Sequence, residues 1–138
     1  MRYNRLYKDN NFLTPTTYTQ TLSEYAANLK YEDIPPEVVE RAKMILLQTI
    51  GVTLGAKGTP IYEKALRMAK EANGGTGGAT TMWGTGEKLS AINAALALGT
   101  TSDALDWEGC SWTGHPAGRV IPWAWVAAEG GDKSGKDL

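Results

Sequence analysis

The chain has 138 residues, 14 Lys and Arg against 15 Asp and Glu, one His, one Cys and 16 Gly. That length supports one domain or part of one, and a net charge of -1 without a basic run excludes the electrostatic footprint of a nucleic-acid binder. One cysteine forms no internal disulfide, and one histidine builds no multi-histidine metal centre, so a reducing compartment and no structural metal are expected.

Arg2, Arg5 and Lys8 are followed by Asp9, Asn10 and Asn11 where a signal peptide would need its apolar stretch. The longest mostly apolar run, Val120 to Ala128, is too short to span a bilayer and contains Pro122. The expectation is a soluble, cytoplasmic protein with no membrane or nucleic-acid partner.

Residues 1–16 read as a polar, extended arm. Thr16 or Thr17 then caps a helix over 17–29 with Leu22, Tyr25, Ala26 and Leu29 on one face. Pro36 suits a first helical turn, and Val38, Val39, Ala42, Ile45, Leu46 and Thr49 recur at helical spacing over 36–54 until Gly51, Gly55 and Gly58 interrupt it. Thr59 and Pro60 repeat the start signal for a helix over 60–72, which Asn73 and Gly74 end. A glycine turn, a short extended segment at 79–83 and the closing Gly84, Thr85 and Gly86 follow.

Neither glycine cluster matches a phosphate-binding pattern, so turn chemistry accounts for both. Ser90 is read as the cap of an Ala-rich helix to about Leu105, and 120–129 as a helix apolar all round, hence buried on every side. Ile45, Leu46, Ile92, Leu96 and Ile121 are the expected core. Ser134 to Leu138 resembles the capped start of a further helix, so the chain is expected to stop in mid-fold.

The chemistry concentrates between Ser90 and Glu129, with the sole His115, the sole Cys110, four of the five tryptophans and the acidic run Asp106, Trp107, Glu108. Asp106 and His115 are the best acid–base pair, since an imidazole exchanges protons near neutral pH and Gly109 and Gly114 let the loop fold back. Read locally, Asp106 could instead cap a turn and His115 fill a core edge. Cys110 could be a nucleophile beside His115, but small lone cysteines more often pack as buried hydrophobes. The tryptophans are read mainly as filler beside alanine-rich helices.

Four stretches then stand in a recognisable order: Asp33 to Lys43 (DIPPEVVERAK), Trp83 to Ala91 (WGTGEKLSA), Ala104 to Trp107 (ALDW) and Gly114 to Pro122 (GHPAGRVIP). Together they resemble the N-terminal part of the MmgE/PrpD family, which includes 2-methylcitrate dehydratase, cis-aconitate decarboxylase and iminodisuccinate epimerase. The resemblance implies an all-α portion of the family's helical domain over 1–138, with the α/β lid domain absent. It also implies a cofactor-independent lyase, most simply a dehydratase, acting on a small di- or tricarboxylate; decarboxylation and epimerisation are alternatives. Asp106 and His115 fall on the family's loop aspartate and histidine and are carried over as catalytic. Cys110 stands where the family has threonine, and Glu108 and Gly109 replace two further acids. Arg119, at a position usually small or apolar, could grip a substrate carboxylate bidentately, so Cys110 and Arg119 are the expected substrate contacts.

Family members are longer homodimers with further basic and histidine site residues. The resemblance therefore implies a homo-oligomer or a complementary chain, with the 138-residue chain inactive alone. The rival reading is a non-catalytic fragment or small subunit that only binds a partner.

Overall fold

A computed structural model describes residues 17–75, 77–111 and 114–138, so the expected arm at 1–16 and Trp112 lie outside the described residues. The chain divides into two compact units, 1–34 and 35–138. In the first, α1 (Tyr18–Asn28) is capped by Thr17, whose hydroxyl accepts from the Gln20 amide, and a 3-10 turn at Tyr31–Asp33 follows.

The second unit is α2 (Pro36–Gly55), α3 (Pro60–Ala72), a two-stranded antiparallel hairpin of β1 (Thr80–Thr81) and β2 (Lys88–Leu89), α4 (Ala91–Ser102) and α5 (Ala117–Gly130). The mostly helical class therefore stands. Pro36 opens α2, and Thr59 caps α3 by accepting from the Tyr62 amide, as the sequence signals predict. The extended segment pairs Thr80 with Leu89 and Thr81 with Lys88. Gly84 and Gly86 make the turn between the strands at φ 90° and 73°, a region that side chains resist. Ser90 departs from expectation: its side chain makes no capping bond, and its amide donates to Asn73 Oδ1 instead.

The core lies where α4 packs between α3 and α5 against the hairpin. α4 turns Ala94, Ala97, Leu98 and Thr101 inward, the i, i+3, i+4, i+7 face, and the alanines among them let its neighbours approach closely. Ile92 and Leu96 occupy the opposite face and are 72% and 49% exposed, which corrects their assignment to the core. Size alone misled; the alanine stripe, not the bulky one, faces inward. Ile45, Leu46 and Ile121 are partly buried. Tyr62, fully buried, donates its hydroxyl to the Trp83 carbonyl at 2.7 Å and so joins α3 to the hairpin.

α5 begins at Ala117, three residues before the expected 120, and is not buried all round, since Val120 and Trp123 are exposed. Of the tryptophans read as filler, Trp125 packs edge-on against Trp83 at 5.4 Å, whereas Trp107 and Trp123 face outward. The helical start expected at Ser134 is a turn, closed by Ser134 and Asp137 bonding to each other.

Glu129, near the end of α5, clamps the helix to the hairpin. Its carboxylate accepts from the amide and hydroxyl of Thr81, from Lys88 Nζ at 3.2 Å and from Trp125 Nε1 at 3.2 Å. Burial pushes this carboxyl up, but the Thr81 bonds and Lys88 outweigh it, so Glu129 titrates below its ordinary 4.5.

Pro122 inside α5 lacks the N–H that would bond the Gly118 carbonyl one turn earlier. Ser102, at the end of α4, supplies the missing donor: its buried hydroxyl reaches the Gly118 oxygen at 2.7 Å. Ser102→Ala leaves that buried carbonyl unpaired and should cost about 1–3 kcal/mol, read as a lower urea midpoint at unchanged slope. An unaltered midpoint would show that this junction is held by packing alone.

Candidate functional site

The loop from Asp103 to Pro116 joins α4 to α5 and is tied down at several points. Gln48 of α2 donates from Nε2 to the Trp107 carbonyl at 2.8 Å. Ser111 and Gly114 exchange backbone bonds of 2.8 and 3.0 Å, and this bridge folds the loop back on itself. Gly109 contributes closeness rather than unusual torsion, since a Cβ there would lie 3.1 Å from Ala117 Cβ and 3.4 Å from Ile45 Cγ2. The left-handed residue is Asp106 itself, at φ 56°, a conformation aspartate tolerates better than most residues.

This path brings Asp106 and His115 together, with Asp106 Oδ1 3.5 Å from His115 Nε2. The next acid, Glu108, had no expected role. Glu108 Oε1 lies 2.9 Å from His115 Nδ1, so the imidazole stands between two carboxyl groups. Their surroundings are opposite: the Glu108 side chain is 0% exposed and the Asp106 side chain 81%. Glu108 fits because Gly118 has no side chain; a Cβ there would meet Glu108 Cγ at 3.2 Å and Ser102 Oγ at 3.3 Å.

The Glu108–His115 contact is at ion-pair distance but without hydrogen-bond alignment, and Nδ1 and both Glu108 oxygens are buried. Burial, first, and then the neighbouring Asp103 carboxyl push Glu108 above its ordinary 4.5, with His115 opposing. Asp103 also pairs with Arg119, Nη2 to Oδ2 at 3.1 Å. Arg119 and Asp103 border an open groove of about 390 Å³ that Ile61, Leu96 and Trp123 line in part.

The expected substrate contacts thus lie apart in character. Arg119 faces the groove and is engaged by Asp103. Cys110 is exposed, not the small buried hydrophobe its type suggested, and its Sγ lies 3.3 Å from the Ser111 carbonyl. Asp103 and Glu108 were missed as site residues; the signal available for Glu108 was an acid two residues from Asp106 in the same loop as the only histidine.

One ligand atom each from Asp106, Glu108 and His115 lies within 4.8 Å of the others, and one imidazole with two carboxylates suits a borderline divalent cation. The carboxyls, however, address different ring nitrogens, Glu108 at Nδ1 and Asp106 at Nε2. An imidazole with a carboxyl at each nitrogen can pass protons through the ring.

Glu108 also sets a pH dependence of folding. A carboxyl with a raised folded-state pKa binds a proton more tightly folded than unfolded, so its contribution is fully present below the unfolded value and is lost as pH rises through the folded one. Glu108→Gln is neutral throughout. Its urea midpoint should exceed that of the parent chain at about pH 8, and the difference should vanish or reverse near about pH 4. A variant less stable at the higher pH would mean that the Glu108 carboxylate is a net stabiliser.

Residues 20–138 match the profile of the MmgE/PrpD N-terminal domain. Among curated proteins, the chain is 25% identical over 107 residues to a cis-aconitate decarboxylase of Mus musculus, an alignment covering 75% of this chain and 21% of that protein. It is 28% identical over 122 residues to a cis-aconitate decarboxylase of Aspergillus terreus, covering 87% of this chain and 24% of that protein. The chain thus spans under a quarter of the length of these relatives. No solved structure matches it. With a profile match across 20–138 and a mostly helical architecture, this chain belongs to the MmgE/PrpD family.

Proposed function

We propose that the chain supplies the Asp106–His115 half of a lyase site that acts on a small di- or tricarboxylate by proton transfer. The observation that carries this reading is the approach of an exposed carboxylate to a partly buried imidazole, at 3.5 Å, in a loop of an MmgE/PrpD domain. In the dehydratase form, exemplified by 2-methylcitrate, the Asp106 carboxylate removes a proton from the carbon next to a substrate carboxylate. The C–H electron pair passes into an enolic carboxylate and then forms the C=C bond as the C–O bond breaks. His115, as imidazolium, gives its proton to the departing hydroxyl, which leaves as water. A guanidinium has five N–H donors, and Arg119, engaged at Nη2 by Asp103, would neutralise part of the substrate charge.

Decarboxylation is the second reading, and the names of the matched relatives favour it. There a C–C bond breaks, carbon dioxide leaves, and the same pair protonates the resulting carbanion. Neither reaction needs a group beyond proton donors, proton acceptors and cations.

The loop supplies more acids than cations. Asp103, Asp106 and Glu108 face Arg119 and His115, so a substrate with two or three carboxylates needs positive charge from elsewhere. Exposed Met44, Leu47, Ile92, Val120 and Trp123 leave apolar surface of the kind that other chains or chain segments cover. Both features support a homo-oligomer or a complementary chain carrying further site residues. Sedimentation should therefore show self-association; a monodisperse 14.9 kDa species would remove that expectation.

The catalytic test uses the chain joined by the remaining family segments and offered 2-methylcitrate and cis-aconitate separately, with water loss and carbon dioxide release followed by NMR. Asp106→Asn and His115→Gln should each lower turnover about a hundredfold or more, whereas Cys110→Ser should be far milder. Asparagine tolerates the left-handed backbone at 106, so the loss would report chemistry rather than loop collapse. If Cys110→Ser abolished turnover and Asp106→Asn spared it, a thiolate mechanism would replace this one.

A further inference from the structure

The imidazole of His115 has one nitrogen in a buried environment and one beside an exposed acid. Nδ1 is buried, and the Glu108 Oε1 atom lies 2.9 Å from it. Nε2 looks toward Asp106 Oδ1 at 3.5 Å. A neutral imidazole carries a single N–H, so the environment of Nδ1 decides which nitrogen is left with the lone pair.

A bare Nδ1 lone pair would oppose the lone pairs of Oε1 at 2.9 Å, away from water that could separate them. A proton on Nδ1 replaces that opposition with attraction to the carboxylate at ion-pair distance, off the line of a hydrogen bond. The Glu108 stem lies in the space that Gly118 leaves, where a Cβ would meet Glu108 Cγ at 3.2 Å.

We propose that Glu108 is a positioning residue: its buried Oε1 holds a proton on His115 Nδ1, so that Nε2, beside Asp106, is the nitrogen that exchanges protons with substrate. The proposal rests on the reading of His115 as a proton-transfer group only for the role of Nε2; the tautomer itself stands without any substrate. When Nε2 gives up its proton, the ring remains neutral with Nδ1–H facing Glu108. When Nε2 takes one, Glu108 faces the cationic ring. Glu108 touches no reacting atom in either state.

Because the chain has a single histidine, its imidazole nitrogens give one unambiguous pair of NMR signals. The full chain, ¹⁵N-labelled at the ring, is examined without ligand at about pH 8, where an ordinary imidazole is neutral. The parent chain should show a protonated Nδ1 and a bare Nε2, the reverse of the preference of free histidine. Glu108→Leu removes the acceptor and should shift the tautomer ratio toward Nε2–H by roughly tenfold or more. Glu108→Gln keeps an acceptor oxygen of the same reach and should retain Nδ1–H. A parent chain with Nε2–H, or a folded Glu108→Leu variant that keeps Nδ1–H, would overturn the proposal. If Glu108→Leu does not fold, the parent spectrum and the Gln variant still decide it. Lack of turnover in the completed enzyme would bear on the lyase reading and leave this result untouched.

Discussion

The junction between α4 and α5 depends on one buried hydrogen bond, from Ser102 Oγ to the Gly118 carbonyl. Proline at 122 creates the need for it, because a helix with an internal proline strands the carbonyl four residues earlier. Serine at 102 meets the need from another helix, so a local defect of α5 becomes a tertiary link. The same approach requires glycine at 118, and the space so left is where the Glu108 stem lies. Thus Pro122, Gly118, Ser102 and Glu108 form one constraint, and the ends of the loop bearing Asp106 and His115 are fixed by it.

The fold holds two buried or half-buried carboxyls whose protonation is driven in opposite directions. Glu129 receives an amide, a hydroxyl, an indole N–H and an ammonium, and these donors outweigh its loss of water. Glu108 is more deeply buried and has another carboxyl beside it, with a backbone hydrogen bond and an imidazole in opposition. Desolvation acts on both; the number and charge of the donors decide the sign. Glu129 consequently serves as a structural clamp, while Glu108 sits in a position that disfavours its charge beside the only histidine. Strained or desolvated groups of this kind concentrate at functional sites, though structural networks produce them as well.

Helix starts were legible because they rest on local chemistry. Thr17 and Thr59 as caps and Pro36 and Pro60 in the first turn each act within a few residues. What periodicity could not provide was the choice of inward face on α4. Two stripes compete there, one of alanines and one of Ile92 and Leu96, and only close packing by α3 and α5 selects the small one. The early start of α5 was hidden because Ala117 and Gly118 carry little pattern. Asp106 and His115 were singled out by residue chemistry, but their spacing fits a turn cap as well, and only the family resemblance raised the pair above that reading; the structure brings the two side chains to 3.5 Å. Glu108 was hidden because a charged residue in a polar loop reads as solvated; its burial follows from Gly118, ten residues away, whose missing side chain makes the room.

The loop is consequently built in two layers. Its base is fixed by Ser102, Gly118 and the buried Glu108, and its outer layer presents Asp106 and Trp107 to solvent, the latter 73% exposed. A base of this kind can set the direction of an imidazole, but an open outer layer rich in acids cannot by itself choose among multiply charged carboxylates. Coulomb interaction between like charges a few ångströms apart is weak in water and grows as water is excluded. A carboxylate ligand near Asp106 and Asp103 therefore gains most when a cationic surface covers the loop, which both removes water and reverses the sign of the local field. The direction of the imidazole is thus set by residues 102 to 118, and discrimination among carboxylates would fall to whatever surface closes over them.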